Sequence, residues 1–228
     1  MLYSLAVLLT SEPERNHMKL TKFAHACVVL EKDGSKIVLD PGTFTPDAKD
    51  AVSGATAVLI THEHFDHFDD ALLATALDTD RGLRVFGPQA VLDKLGSHDG
   101  RVQAVKAGDA LTVDGFNVTI HGEQHAAIHA DIPLVDNLGY LIDETVFHPG
   151  DSYFVPRAAV DTLLLPTSGP WTKLGDAVEY VRAIKPRQMI QIHELMLSDL
   201  GQNSTRTFLA NLTGIEETLL LPGQSINL

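Results

Sequence analysis

The sequence predicts an α/β (α+β) protein built as a four-layer αββα sandwich, with two mixed β-sheets face to face and helices outside. Two observations carry that expectation: short β-rich runs precede helical runs in each half of the chain, and 228 residues with 44% hydrophobic content suffice for a sizeable core. From Met18 onward, "KLTKFA", "CVVLE" and "KIVLD" read as strands, and "KDGS" between the last two is a hairpin signal. The strand "AVLIT" runs directly into "HEHFDHFDD", after which "DDALLATAL" has helical spacing with acids at its N-terminal end. A small strand at Arg84 to Phe86, a helix opened by Pro88, and strands "RVQAV", "ALTV" and "FNVTIHG" follow.

The second half repeats the style loosely. "NLGYLID" and "TVFHPGD" form a strand pair, "TLLLPT" is a short buried strand, and "KLGDAVEYVRAI" is an amphipathic helix stopped before Pro186. "QMIQIHE" is a strand ending in a histidine, "STRTFLANL" a helix capped by Ser204 or Thr205, and "TLLLP" a closing strand. Residues 1–17 read as a leader, a tag scar or a mis-called start, which leaves 18–228 as a single domain.

Charge and cysteine usage narrow the function. A net charge of -13, from 17 basic and 30 acidic residues, offers no positive field to a phosphate backbone, so nucleic acid is not expected as a partner. The single cysteine, Cys27, sits in the apolar run "ACVVL" and reads as a buried small hydrophobe. The apolar segment at residues 2–10 is too short to span a bilayer, so no stable membrane insertion is expected and a cytoplasmic setting is favoured.

The chemistry-bearing residues share one peculiarity: they fall where a strand stops. His62, His64, Asp66 and His67 follow "AVLI", His125 follows "FNVTIHGEQ", Asp151 follows "TVFHPG", and His193 follows "MIQI". Strand ends along one sheet edge converge, and imidazole nitrogen with carboxylate oxygen is the donor set of first-row divalent cations. His62 and His64 point to the same side of an extended segment and can grip one ion, while Asp66 and His67 in the following turn reach a second. A zincin would need H-E-x-x-H, but "HEHFD" puts Asp66 where the second histidine must stand.

"THEHFDH" resembles the His-x-His-x-Asp-His signature of the metallo-β-lactamase-fold hydrolases, and His125, the "GD" of "HPGDS" and His193 follow in that family's order over Met18 to Leu228. The resemblance implies the αββα sandwich. It makes His62, His64 and His125 ligands of a first ion, Asp66, His67 and His193 ligands of a second, and Asp151 the bridge. It implies a metal-dependent hydrolase in which a hydroxide shared by two divalent cations, Zn2+ first and Mn2+ or Fe2+ as substitutes, cleaves an ester, lactone or phosphoester bond of a small anionic metabolite. Asp66 or Asp151 would relay the proton. "DPG" at 40–42 and "FHPGDS" look most like the branch that contains ascorbate-phosphate lactonase.

Phosphodiester cleavage is the nearest alternative. An iron-dependent redox protein or sulfur dioxygenase is the next, although diiron electron-transfer relatives carry a carboxylate where this chain has His64, and a single-iron dioxygenase would not need His67. His129, His148, Tyr153 and Trp171 are candidate substrate contacts, Asp40 sits either beside the metals or in a turn, and Asp69 and Asp70 belong to a helix start. A homo-oligomer is compatible with all of this.

Overall fold

The computed structural model describes residues 18–122 and 124–228, so the expected leader lies outside the described residues. In chain order the elements are β1 (Lys19–Lys22), β2 (Val28–Lys32), β3 (Ser35–Leu39), α1 (Ala48–Val52), β4 (Ala57–Leu59), α2 (Asp70–Thr79), β5 (Arg84–Gly87), α3 (Gln89–Leu95), β6 (Val102–Ala104) and β7 (Ala110–Val113). They continue with β8 (Phe116–His121), β9 (Gly139–Ile142), β10 (Val146–His148), β11 (Thr162–Pro166), α4 (Leu174–Ile184), β12 (Gln188–Ile192), α5 (Asp199–Thr213), β13 (Glu217–Thr218) and β14 (Ser225–Asn227). Two seven-stranded sheets result, ordered β14-β1-β2-β3-β4-β5-β6 and β13-β12-β11-β10-β9-β8-β7.

Each sheet is antiparallel on one side and parallel on the other. β14, β1, β2 and β3 pair antiparallel and β3 to β6 parallel; β7 to β10 pair antiparallel and β10 to β13 parallel. The antiparallel side of the first sheet is set by the predicted hairpin: Asp33 (φ 53°) and Gly34 (φ 82°) both take the left-handed conformation that a two-residue type I′ turn requires.

Alternation along the strands builds the layers. Ile37 and Leu39 of β3, with Leu20, Leu30 and Leu59, face Phe116, Val118, Tyr140, Leu164 and Ile190 of the second sheet. Val38, Val58 and Val85 point the other way, onto Leu73 and Leu77 of α2 and Val91 of α3. Leu141, Leu163 and Met189 do the same on the far side, against Val178 and Val181 of α4 and Leu209 of α5. Strands apolar on both faces are what a sheet covered twice demands. The four-layer αββα expectation therefore holds.

Two local expectations need correction, and one element went unforeseen. The last helix is capped by Ser198, whose hydroxyl accepts from the Gly201 amide at 3.2 Å, rather than by Ser204 or Thr205; that cap, with Asp199 in the first turn, carries the helix through the polar "GQN" stretch. Of the predicted closing strand only Thr218 is in a strand, and the chain instead ends in β14, paired to β1 across the molecule. α1 was not foreseen, because five residues are too few to show a period. Among the described residues no helix is long and apolar enough to cross a membrane.

Candidate metal centre

The predicted residues meet where the two sheets open at their strand ends. Behind β3 comes Asp40, behind β4 come Thr61 and His62, behind β10 comes Asp151, and behind β12 comes His193. The sheets are tied together at this edge: the Tyr140 hydroxyl donates to the Ile60 carbonyl at 2.7 Å, and the Leu138 amide to the Thr61 carbonyl at 2.8 Å. Two glycines make the close approach sterically feasible. A Cβ on Gly42 would lie 2.1 Å from the Asp66 carbonyl carbon, and one on Gly150 (φ 64°) would lie 2.3 Å from Asn137 Oδ1. Those are the glycines of "DPG" and "HPGDS".

The side chains fall into three overlapping groups, each with its ligand atoms within 4.8 Å of one another: His62, His64 and His125; His62, His67 and Asp151; and His25, Asp66, His67 and His193. In the first, His62 Nε2 lies 3.1 Å from His64 Nδ1, and His125 uses Nδ1–H to donate to the Ala126 carbonyl at 2.6 Å, which leaves its Nε2 for the centre. Burial, followed by the other imidazoles, pushes His62 well below the ordinary histidine value, and burial with His125 lowers His64. His62 and His64 are therefore neutral donors.

The remaining groups are laced with carboxylates. His67 donates Nδ1–H to Asp40 Oδ2 at 2.7 Å, and that carboxylate is itself fixed by the Thr61 amide at 2.8 Å and the Thr61 hydroxyl at 2.6 Å. His67 Nε2 then faces Asp151 Oδ1 at 3.1 Å, while His193 Nε2 lies 3.1 Å from Asp151 Oδ2 and 3.4 Å from Asp66 Oδ2. Burial acts to lower His67 and His193, but Asp151 outweighs it in both, aided by Asp40 at His67 and by Asp66 at His193; His67 is held well above its usual value and His193 reaches about 9. Burial alone would raise Asp151, yet His67 and His193 hold it well below the carboxylate range.

These residues fit a bound cation. His67 Nε2, His193 Nε2 and Asp151 Oδ1 are buried and make no hydrogen bond, although each has an oppositely polarised atom at 3.1 Å. Buried polar atoms that converge without bonding one another are costly unless a third group satisfies them all. The cluster can therefore hold metal.

Other expectations sort cleanly. Trp171 donates Nε1–H to Asp151 Oδ2 at 2.9 Å and packs edge-on to Tyr153, whose hydroxyl donates to the Pro166 carbonyl at 3.2 Å. His129 stands on an exposed loop beside Asp131. His148 is fully buried, with Nε2 bonded to the Ala26 carbonyl at 2.9 Å and Nδ1 accepting from the Gly150 amide at 3.1 Å; it has no face for a substrate, and the expected contact there is corrected to a packing role. Asp69 caps α2 by accepting from the Leu72 amide, as a helix-start residue should. Burial pushes the Cys27 thiol to about 12, in line with its reading as an inert hydrophobe.

Sequence reasoning missed His25, Thr61, Asn137 and the buried Lys22–Glu194 pair. His25 had a signal: it too falls just past a strand end, in "KLTKFAHA". Its Nε2 lies 3.1 Å from Asp66 Oδ2. Asn137, whose Oδ1 accepts from the Asp151 amide at 2.9 Å while its Nδ2 donates to the Pro149 carbonyl, had none, because only the three-dimensional approach of β9 gives it a role.

Comparison with known proteins places the fold and the family. A curated mycobacterial relative, Protein Rv0786c of Mycobacterium tuberculosis, is 35% identical over 186 residues, covering 79% of this chain and 86% of its own. A UPF0173 metal-dependent hydrolase of Carboxydothermus hydrogenoformans is 26% identical over 92% of this chain and 99% of its own. The metallo-beta-lactamase fold protein YhfI of Bacillus subtilis superposes with a TM-score of 0.74 at 15% identity, covering 93% of this chain and all of that one, a likeness of fold. The model of the Beta-lactamase superfamily domain matches residues 19–193, and the chain belongs to that family.

Proposed function

We propose that this chain is a metal-dependent hydrolase with a dinuclear centre, His62, His64 and His125 holding one divalent cation, Asp66, His67 and His193 holding the other, and Asp151 between them. The observation that carries the reading is the set of buried, mutually facing but unbonded donors His67 Nε2, His193 Nε2 and Asp151 Oδ1 beside a three-imidazole group that shares His62 with them. Zn2+ suits the nitrogen-rich donor set, and Mn2+ or Fe2+ fit the same atoms. When bound, such ions supply an activated water and polarise the substrate oxygen, which suits cleavage of an ester, lactone or phosphoester bond.

The protein's own groups do the rest. Asp66 is the carboxylate with the most access, its side chain 13% exposed against 5% for Asp151. Burial opposes its ionisation, but the His193 ring at 3.4 Å and the hydrogen bond from His25 hold it far below the usual range, so it is an anion, and its access makes it the carboxylate we assign to the proton relay. Asp151 is the better-anchored residue, its carboxylate accepting from the Trp171 indole and its backbone amide donating to Asn137 Oδ1, and its role is to link the two halves. His129, Tyr153 and Trp171 are the substrate contacts we assign.

The substrate we propose is a small anionic metabolite in the cytoplasm, with a sugar-acid phosphate lactone as the sharpest form. The loops that leave His64, His125 and His193 carry exposed Phe65, Ile132, Leu134, Leu195 and Met196 and no Lys or Arg. Recognition of an anionic group therefore falls to the cations and to Lys94, which shares a cleft of about 370 Å³ with His64, Phe65 and Val135. The test is elemental analysis of the purified chain, followed by a screen of bis-p-nitrophenyl phosphate, lactones and thioesters with each metal restored. Metal-dependent turnover that is lost in His64→Ala supports the reading. Turnover that survives that substitution, or a chain without metal, overturns it.

A further inference from the structure

Behind Asp66 and His193, where β1 of one sheet meets β12 of the other, a buried unit lies outside the proposed ligand set. The Lys22 ammonium, fully buried, donates to the Phe23 carbonyl at 2.6 Å, to Glu194 Oε1 at 2.8 Å and to the His25 carbonyl at 3.2 Å. Glu194 Oε1 also accepts from the His25 amide at 3.3 Å, and the His193 amide donates to the His25 carbonyl at 3.1 Å. The ion pair thus grips the backbone around His25 and abuts His193 in sequence.

Both histidines are forced into an unusual conformation there. His25 (φ 60°) and His193 (φ 55°) occupy the left-handed region, which side chains beyond glycine adopt only when the surroundings over-determine it. The result is ring against ring, with centroids 3.8 Å apart, and His25 Nε2 at 3.1 Å from Asp66 Oδ2. Desolvating Lys22 and Glu194 is expensive, and a buried pair returns little net stability. What it does return here is orientation: it fixes a ring that touches both Asp66 and His193.

We infer that His25, locked by the Lys22–Glu194 ion pair, is a positioning residue for the carboxylate-linked half of the centre, donating Nε2–H to Asp66 and backing the His193 ring so that both are preset for the second cation. The inference rests on the dinuclear reading and adds a device that sets occupancy of one ion without touching the other. Side chains that orient metal ligands are worth roughly 10–100-fold in metal affinity when removed.

The test is a competitive chelator titration of Zn2+ into the metal-free full chain, comparing wild type, His25→Phe, His25→Gln and the double variant Lys22→Met with Glu194→Gln. His25→Phe keeps the first, tight equivalent and weakens the second by roughly 10–100-fold. His25→Gln, which retains a donor near the Nε2 position, restores most of the loss, as neither a direct ligand nor a mere filler would. Should circular dichroism show that His25→Phe does not fold, the double variant replaces it, with the same selective weakening expected. A second equivalent of unchanged affinity in the variant that folds, or His25→Gln as weak as His25→Phe, overturns the inference alone. A wild-type chain that takes up fewer than two ions overturns the dinuclear reading and this inference with it.

Discussion

His62 and His67 are equally hidden from solvent, yet burial and neighbouring imidazoles push the first well below the ordinary histidine value while Asp151 and Asp40 overcome burial and hold the second well above it. In the proposed centre the three-imidazole group meets its cation with His62 and His64 already neutral. The carboxylate-linked group meets it with protons still bound, His193 included at about 9. Burial sets the cost of a charge, and the carboxylates within hydrogen-bond reach decide whether it is carried. On the proposed dinuclear reading, the two halves differ in how metal uptake couples to pH.

The largest expected effect comes from removing what the halves share. Asp151→Asn keeps the size of the side chain but weakens its hold on both groups, and turnover should fall by roughly 1000-fold, about 4 kcal/mol at 1.36 kcal/mol per tenfold. Steady-state kinetics on the best substrate of the screen checks this, and a loss below tenfold would remove Asp151 from between the halves. Next, Asp40→Asn acts mainly on the carboxylate-linked side: His67 loses the anion that orients it, while His62 is reached only through the Thr61 hydroxyl, so the second equivalent of metal should weaken by roughly 10–100-fold and the first by much less. Equal weakening of both equivalents would mean that the halves are not separable.

The smallest effects lie outside the centre and act as controls. Asp69→Ala removes the α2 cap and should cost about 1 kcal/mol of stability in denaturant titration, with metal content intact. Loss of metal there would put Asp69 among the ligands. Glu217 separates bulk pH dependence from that of the centre: burial lifts its carboxyl from 4.5 to about 8, and neither oxygen has a hydrogen-bond partner. The folded state therefore binds that proton more tightly than the unfolded chain. Its stabilising effect is full below the ordinary carboxyl value and is lost as pH rises through about 8, so Glu217→Gln should flatten the fall in stability over that window.

Much of this was legible in the sequence, for reasons that particular residues show. Strand alternation and the Asp33-Gly34 turn are local signals, and they gave the two sheets and the first hairpin. His62 to His67 announced themselves by crowding, and the strand-end rule added His125, Asp151 and His193. His25 obeyed that same rule but lacked a crowded neighbourhood, so its place beside Asp66 emerged only from the packing of β1 against β12. Asp40 and Thr61 were harder, because orienting a ligand depends on distances such as the 2.7 Å from Asp40 to His67, which no spacing encodes. His148 misled in the other direction: a histidine at a strand end resembles a site residue until both its nitrogens are found bonded inside the protein.

The most direct test of the central difference between the halves is calorimetric titration of Zn2+ into the metal-free chain at pH 7.5, repeated in buffers of different ionisation enthalpy to count released protons. Two binding events are expected, the first releasing few protons as it fills the group of His125 with the neutral His62 and His64, the second displacing those held on His67 and His193. A single event, or two events that release the same number of protons, would contradict it.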